Sequence, residues 1–240
     1  MAFFHEPRSS QAPLLNAPVS VLILIGVILA AHGLRVGLTE PWPEQVLIDY
    51  AFIPARYSAE ALAAENIAPA ALWQQGLTFF SYIFLHANLT HLAINSLWLL
   101  AFGPEVARRL GTAKFLSFFL FCGFVAALAH LAANWGSFSP VVGASGAVSG
   151  LMAGAIRILY GRRGFVFGEG RSLAPLFSRP IVTFTLLWVV VAVVTGYIGF
   201  GVSDEALFIA WVAHLGGFFA GLLTIGLFDA LPPGKGNRHA

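Results

Sequence analysis

The chain has 240 residues, 58% of them hydrophobic and only 10% charged, with a formal net charge of +2. An average soluble domain is about 25% charged, so this sequence cannot give a water-soluble globule its polar coat, and it offers no basic stripe for nucleic acid. One cysteine, Cys122, excludes an internal disulfide and a multi-cysteine zinc site. The class left is an all-α, polytopic membrane protein, with no metal or cofactor implied.

Membrane crossings need about 20 apolar residues each. Six stretches qualify in chain order: 19–38, 89–102, 115–135, a short one at 145–160, 181–200 and 206–228. Each is expected to be a helix, because lipid cannot satisfy open backbone groups. A tail carrying Pro7, Pro13 and Pro18 precedes the first stretch. That stretch is too long for a signal-peptide core and is expected to be retained. Residues 39–85 hold Trp42, Tyr57 and Trp73 among short amphipathic pieces, a composition suited to the membrane interface. The second crossing is expected to start a turn before 89. The domain reading is a cytoplasmic tail at 1–18, a six-helix membrane domain at 19–228 and a cytoplasmic tail at 229–240.

With the N-terminus inside, the inner segments carry Arg8, Arg108, Arg109, Lys114, Arg157, Arg162, Arg163, Arg171, Arg179, Lys235 and Arg238, against Arg35 and Arg56 outside. This bias places both termini in the cytoplasm and the 39–85 loop on the outer face. It fits a bacterial cytoplasmic membrane.

Polar residues inside crossings are costly, and so are candidates for function. Three places stand out. His91 and Asn95 share one helix face at the start of the second crossing, beside His86. Ser145 opens the fourth crossing within Gly143-Ala144-Ser145-Gly146. His214 lies in the sixth. Counting back from the inner ends at about 1.5 Å per residue puts Asn95, Ser145 and His214 roughly 18–21 Å above the inner boundary. In a core about 30 Å thick, that is roughly 10 Å below the outer surface. Gly146 and Gly150 in the fourth crossing, and Gly217 and Gly221 in the sixth, recur every four residues, which lets helix backbones approach closely. That approach would bring Ser145 to His214.

Serine needs a base to become a nucleophile, and histidine is the usual one. Acyl transfer also needs donors for the oxyanion. The Ser145 backbone N–H, the Asn95 amide and the His91 ring could supply them. No carboxylate is available at that depth to orient His214, so the arrangement is a dyad.

These residues resemble the rhomboid intramembrane serine proteases. Gly143-Ala144-Ser145-Gly146 is similar to their GxSG motif, and Ala213-His214 with Gly217 and Gly221 to their AHxxGxxxG. Phe84-Leu85-His86, His91-Leu92 and Asn95 are similar to FLHxxxxHLxxN, and Arg108-Arg109-Leu110-Gly111 to the basic turn after the family's second helix. The resemblance covers about 75–221. It implies a serine endopeptidase that cleaves spanning segments of membrane proteins, with Ser145 as nucleophile and His214 as base. It also implies lateral substrate entry, for which the fifth crossing and the loop at 200–206 are the expected gate. Two positions depart from the pattern. Ser149 stands where many relatives have an aromatic residue under the catalytic histidine, leaving His214 to packing or to a hydrogen bond from Ser149. Ala107 stands where a glutamate often precedes the basic turn, with Glu105 as its possible substitute.

Other readings are weighed alongside. Ser145 could be only a helix cap, the glycines only packing residues, and His91 and Asn95 only structural. His86 reads as a tie between the outer loop and the second crossing. His32 and His130 read as satisfied helix residues, Cys122 as a small buried apolar one, and Trp42 and Trp73 as interfacial anchors. A transporter would want acidic residues inside crossings and repeat symmetry, and neither is visible. A catalytically inactive rhomboid-like client-binding protein would typically lack the serine or the histidine. The sequence is silent on substrate identity and oligomeric state.

Overall fold

A computed structural model describes residues 17–161, 172–198 and 211–230. The described residues form nine α-helices and two short 3-10 turns, with no strand beyond one isolated bridge. The expected gate at 200–206, most of both tails and several basic residues of the charge argument lie outside them.

Helix α1, Val19–Val36, starts directly after Pro18, whose fixed φ and missing N–H suit a helix start. Helices α2, Trp42–Tyr50, α3, Ala59–Ala64, and α4, Leu72–Ser81, are short and fill the long connecting segment. The second long helix, α5, Leu89–Leu110, does not begin a turn early. The Asn88 side chain accepts from the His91 N–H at 2.8 Å and caps the helix there. The apolar residues before it belong to α4 and a 3-10 turn, which meet α5 at 82°. At its other end α5 runs through Pro104, well past the expected stop at 102, and ends at Gly111 with φ 76°, a left-handed conformation that glycine tolerates. Helix α6, Thr112–Ala133, follows at once.

Four helices are long and apolar enough to cross a bilayer: α1, α6, α8, Arg179–Ile198, and α9, Trp211–Ala230. The bent pair of α4 and α5 is together long and apolar enough to count as a fifth if it is one broken span. Helix α7, Ser145–Gly161, has 17 residues, and thirteen of them are buried. It is the centre of the bundle, packed by α5, α6 and α9. A helix shielded on every side by other helices need not match the full apolar thickness.

Small residues allow this packing. A Cβ added at Gly217 would overlap the backbone carbonyl of Gly146, and one at Gly221 would overlap that of Gly150. At Gly150 a side chain would strike the Cys122 thiol on α6. The contact between α7 and α9 is therefore backbone on backbone. At the far end, Arg109 of α5 makes a bidentate ion pair with Asp229 of α9, both contacts at 2.8 Å. Arg157 of α7 donates to the carbonyls of Leu222, at 2.7 Å, and Ala174, at 3.1 Å.

The connecting segment is tied to the strand-like run before α7. Phe52 and Val141 exchange backbone hydrogen bonds of 3.0 and 2.8 Å, and Ala55 N–H donates to Ser137 at 2.8 Å. Phe52 is fully buried and its ring meets those of Tyr57, Phe79 and Tyr82. Trp42 and Trp73 are 58% and 71% exposed, as side chains at a membrane interface would be.

Candidate active site

Ser145 is the first residue of α7 and His214 lies in the first turn of α9. The close glycine crossing brings them together: Ser145 Oγ and His214 Nε2 are 2.7 Å apart. Among the described residues no carboxylate bonds the His214 ring. The hydroxyl of Ser149 is not given to His214. It donates to the Ser145 carbonyl at 2.8 Å, the back-bond to residue i−4 that helical serines commonly make. His214 is thus held by packing rather than by Ser149.

Gly143, two residues before the serine, has φ 115°, a conformation open to glycine and strained for other residues. Its N–H donates to the Tyr82 carbonyl at 2.9 Å. A Cβ placed there would lie 2.7 Å from His91 Nε2 and 3.8 Å from Asn95 Nδ2. The His91 ring and the Asn95 amide therefore flank the bend that presents Ser145. One Asn95 N–H is already engaged, donating to the His91 carbonyl at 2.9 Å, which leaves the second for a ligand. The helix N-terminus at Ser145 adds a positive field favourable to a developing anion.

His86 ties the structure through its main chain. Its carbonyl accepts from Arg35 Nη2 at 2.9 Å, linking the end of α1 to the turn before α5. His130 is paired with Asn134 one turn on. His32, in contrast, is not the satisfied residue expected, because its buried Nδ1 has no hydrogen-bond partner among the described residues. Glu105 interacts electrostatically with Arg109, and the bidentate partner of Arg109 is Asp229. Two residues the sequence reading left out of the site support it directly. Gly143 makes room for His91, and Tyr82, fully enclosed, holds Gly143 with its carbonyl and Gly123 with its hydroxyl at 2.8 Å. The glycine could have been inferred from its place in Gly143-Ala144-Ser145-Gly146; nothing local marks Tyr82. No group of three or more His, Cys, Asp or Glu among the described residues could hold a metal ion.

A model of the Rhomboid domain matches residues 72–229, a range that holds Ser145, His214, His91 and Asn95. The chain belongs to the rhomboid family. Among rhomboid relatives, it is 33% identical over 156 residues to the rhomboid protease GlpG of Pectobacterium atrosepticum, covering 63% of this chain and 47% of that protein. It is 27% identical over 170 residues to RHOMBOID-like protein 4 of Arabidopsis thaliana, covering 71% of this chain and 38% of that protein. The chain thus aligns with less than half the length of either rhomboid relative. The membrane-crossing helices and the rhomboid match make this an integral membrane protein.

Proposed function

We propose that the chain is an intramembrane serine endopeptidase that cuts spanning segments of membrane proteins in the outer half of the bilayer. The observation that carries this reading is the 2.7 Å approach of Ser145 Oγ to His214 Nε2 at the ends of two helices in close backbone contact. Ser145 attacks the scissile carbonyl while His214 takes its proton. The tetrahedral oxyanion is met by the Ser145 N–H, the His91 ring and the free Asn95 N–H. His214 then protonates the leaving amine. Water, deprotonated by the same histidine, releases the acyl group and restores Ser145.

The membrane domain proposed is 19–228 with six crossings, α7 counting as the sixth. The lysine and arginine bias supports cytoplasmic termini, as in a bacterial inner membrane. The substrate helix enters sideways past α8. That route is supported by the loose seating of α8, only 17% of whose spanning window is buried, against 33–44% in α1, α6 and α9. Small, helix-weakening residues near the cut follow from the need to unwind a helix before its carbonyl can be attacked.

The test uses detergent-purified full-length protein. Wild type should label with a fluorophosphonate and cleave single-span substrates, and Ser145→Ala should do neither. Wild-type protein that is folded but neither labels nor cleaves would make this a client-binding rhomboid relative.

A further inference from the structure

Five buried polar atoms beside the site are left for a partner outside the described residues. They are His32 Nδ1, Arg35 Nε, His91 Nδ1, Asn95 Oδ1 and one ring nitrogen of His86, whose ring also meets the backbone of Phe84. They form a cluster. The His86 and His91 rings are 5.1 Å apart, edge to face. His32 interacts electrostatically with both. Arg35, three residues after His32 and on the same face of α1, reaches the carbonyls of His86 and Ala87 at 2.9 and 3.3 Å. The unpartnered atoms are all buried, and of the residues His32 is 4% exposed and His86 not at all. His32 also borders a cleft between α1 and the start of α5, walled by Gly33, Val36, Ala87 and Leu89.

Buried polar groups are nearly always paired, and several orphans facing one another are what ordered water satisfies, each molecule needing about two to four polar partners. The cleft gives water its way in. The His91 ring spans the two regions. Its Nε2 faces the bend at Gly143, and its Nδ1 is one of the orphans. A neutral imidazole has one donor nitrogen and one acceptor, and the bond made at one nitrogen decides where the proton sits on the other.

We propose that His32, Arg35 and His86 hold a bound water cluster that donates to His91 Nδ1 and so keeps the His91 proton on Nε2, aimed at the oxyanion. This rests on the reading of His91 as an oxyanion donor. His32 is then a positioning residue, acting on the reaction from α1 without touching substrate.

The experiment is ¹⁵N NMR of histidine-labelled full-length protein, with the His91 signals assigned by their loss in His91→Ala, together with steady-state cleavage. Wild-type His91 should show the Nε2–H tautomer. His32→Leu should shift it toward a mixture and lower kcat about tenfold at unchanged KM, less than the roughly 10²–10³ expected for deleting a donor outright. His32→Asn, which keeps a polar atom at the position of Nδ1, should restore kcat. In a His91→Ala background, His32→Leu should cost nothing more, whereas a purely structural role would add its loss. A wild-type His91 protonated on Nδ1 overturns the proposal even if the leucine variant cannot be purified. An unchanged ring signal and kcat in folded His32→Leu does so too. Full turnover by His91→Ala would instead remove the oxyanion role of His91, while the wild-type tautomer would still judge the water cluster.

Discussion

Replacing Gly217 by alanine tests whether the α7–α9 contact sets the catalytic geometry. The new Cβ would overlap the Gly146 carbonyl oxygen and lie 2.7 Å from its carbon and 3.3 Å from the Gly146 Cα. Carbon atoms prefer about 3.5–4.0 Å, so the two helices must part by roughly 1 Å. The obstacle is main chain and cannot rotate away. If more than half of that shift reaches the pair, the 2.7 Å bond from Ser145 to His214 leaves the hydrogen-bonding range of about 2.5–3.2 Å. A misplacement of about 1 Å can cost roughly 10²-fold in rate, and overpacking costs about 1–3 kcal/mol. Gly217→Ala should therefore lose about 10²-fold in kcat and melt at lower temperature. Gly26→Ala on α1 is the control, since nothing lies within 4 Å of its added Cβ. It should keep full activity and gain slightly in helix stability. The assays are cleavage of a single-span substrate and thermal unfolding in detergent. Wild-type turnover and an unchanged midpoint in Gly217→Ala would refute the reasoning.

Ser145→Ala and His214→Ala should each abolish cleavage, and the double variant should be no worse than either, because dyad members act as a unit; additive losses in a rate assay would argue against the pair. Asn95→Ala should lower kcat by about 10²–10³ with little change in KM, and a rise in KM alone would make Asn95 a binding residue. Gly143→Ala places a methyl against the His91 ring at a positive φ, and should abolish turnover in protein that still folds by circular dichroism. Acid removes the neutral form of the base, so kcat/KM should fall about tenfold per pH unit on the acid limb. A profile with no acid limb at all, in protein that stays folded, would exclude histidine as the base.

The sequence made the candidate site legible because its signals are local. A serine beside glycines, a histidine four residues before another helix-face polar group, and glycines spaced by four can all be read within one turn or two. The helix limits were less legible. Gly103-Pro104-Glu105 reads as a stop, yet α5 continues to Leu110, since tertiary packing outweighs one missing N–H. The apolar run before 89 reads as part of the same crossing until the Asn88 cap divides it. Apart from the glycine-spaced approach of α7 to α9, contacts between distant segments left no trace. Arg109 and Asp229 are 120 residues apart. Tyr82 looks like any interfacial tyrosine, although it holds Gly143. His32 has no motif around it, and its interest arises only because α1 packs beside His86.

The backbone bridge between Phe52 and Val141 has a practical consequence. It fuses the surface segment around α2 and α3 to the run that ends in Gly143, two residues from Ser145, the proposed nucleophile. A force applied to that segment is transmitted through hydrogen bonds of 2.8–3.0 Å to the bend presenting Ser145. An antibody fragment or nanobody that grips the exposed faces of α2 and α3, where Trp42 is 58% exposed, and so pulls the buried run at 52–55 away from 137–141 would act as an inhibitor without entering the substrate's path. The accessible handle for controlling this protein is then the outer connecting segment, not the recessed site around Ser145.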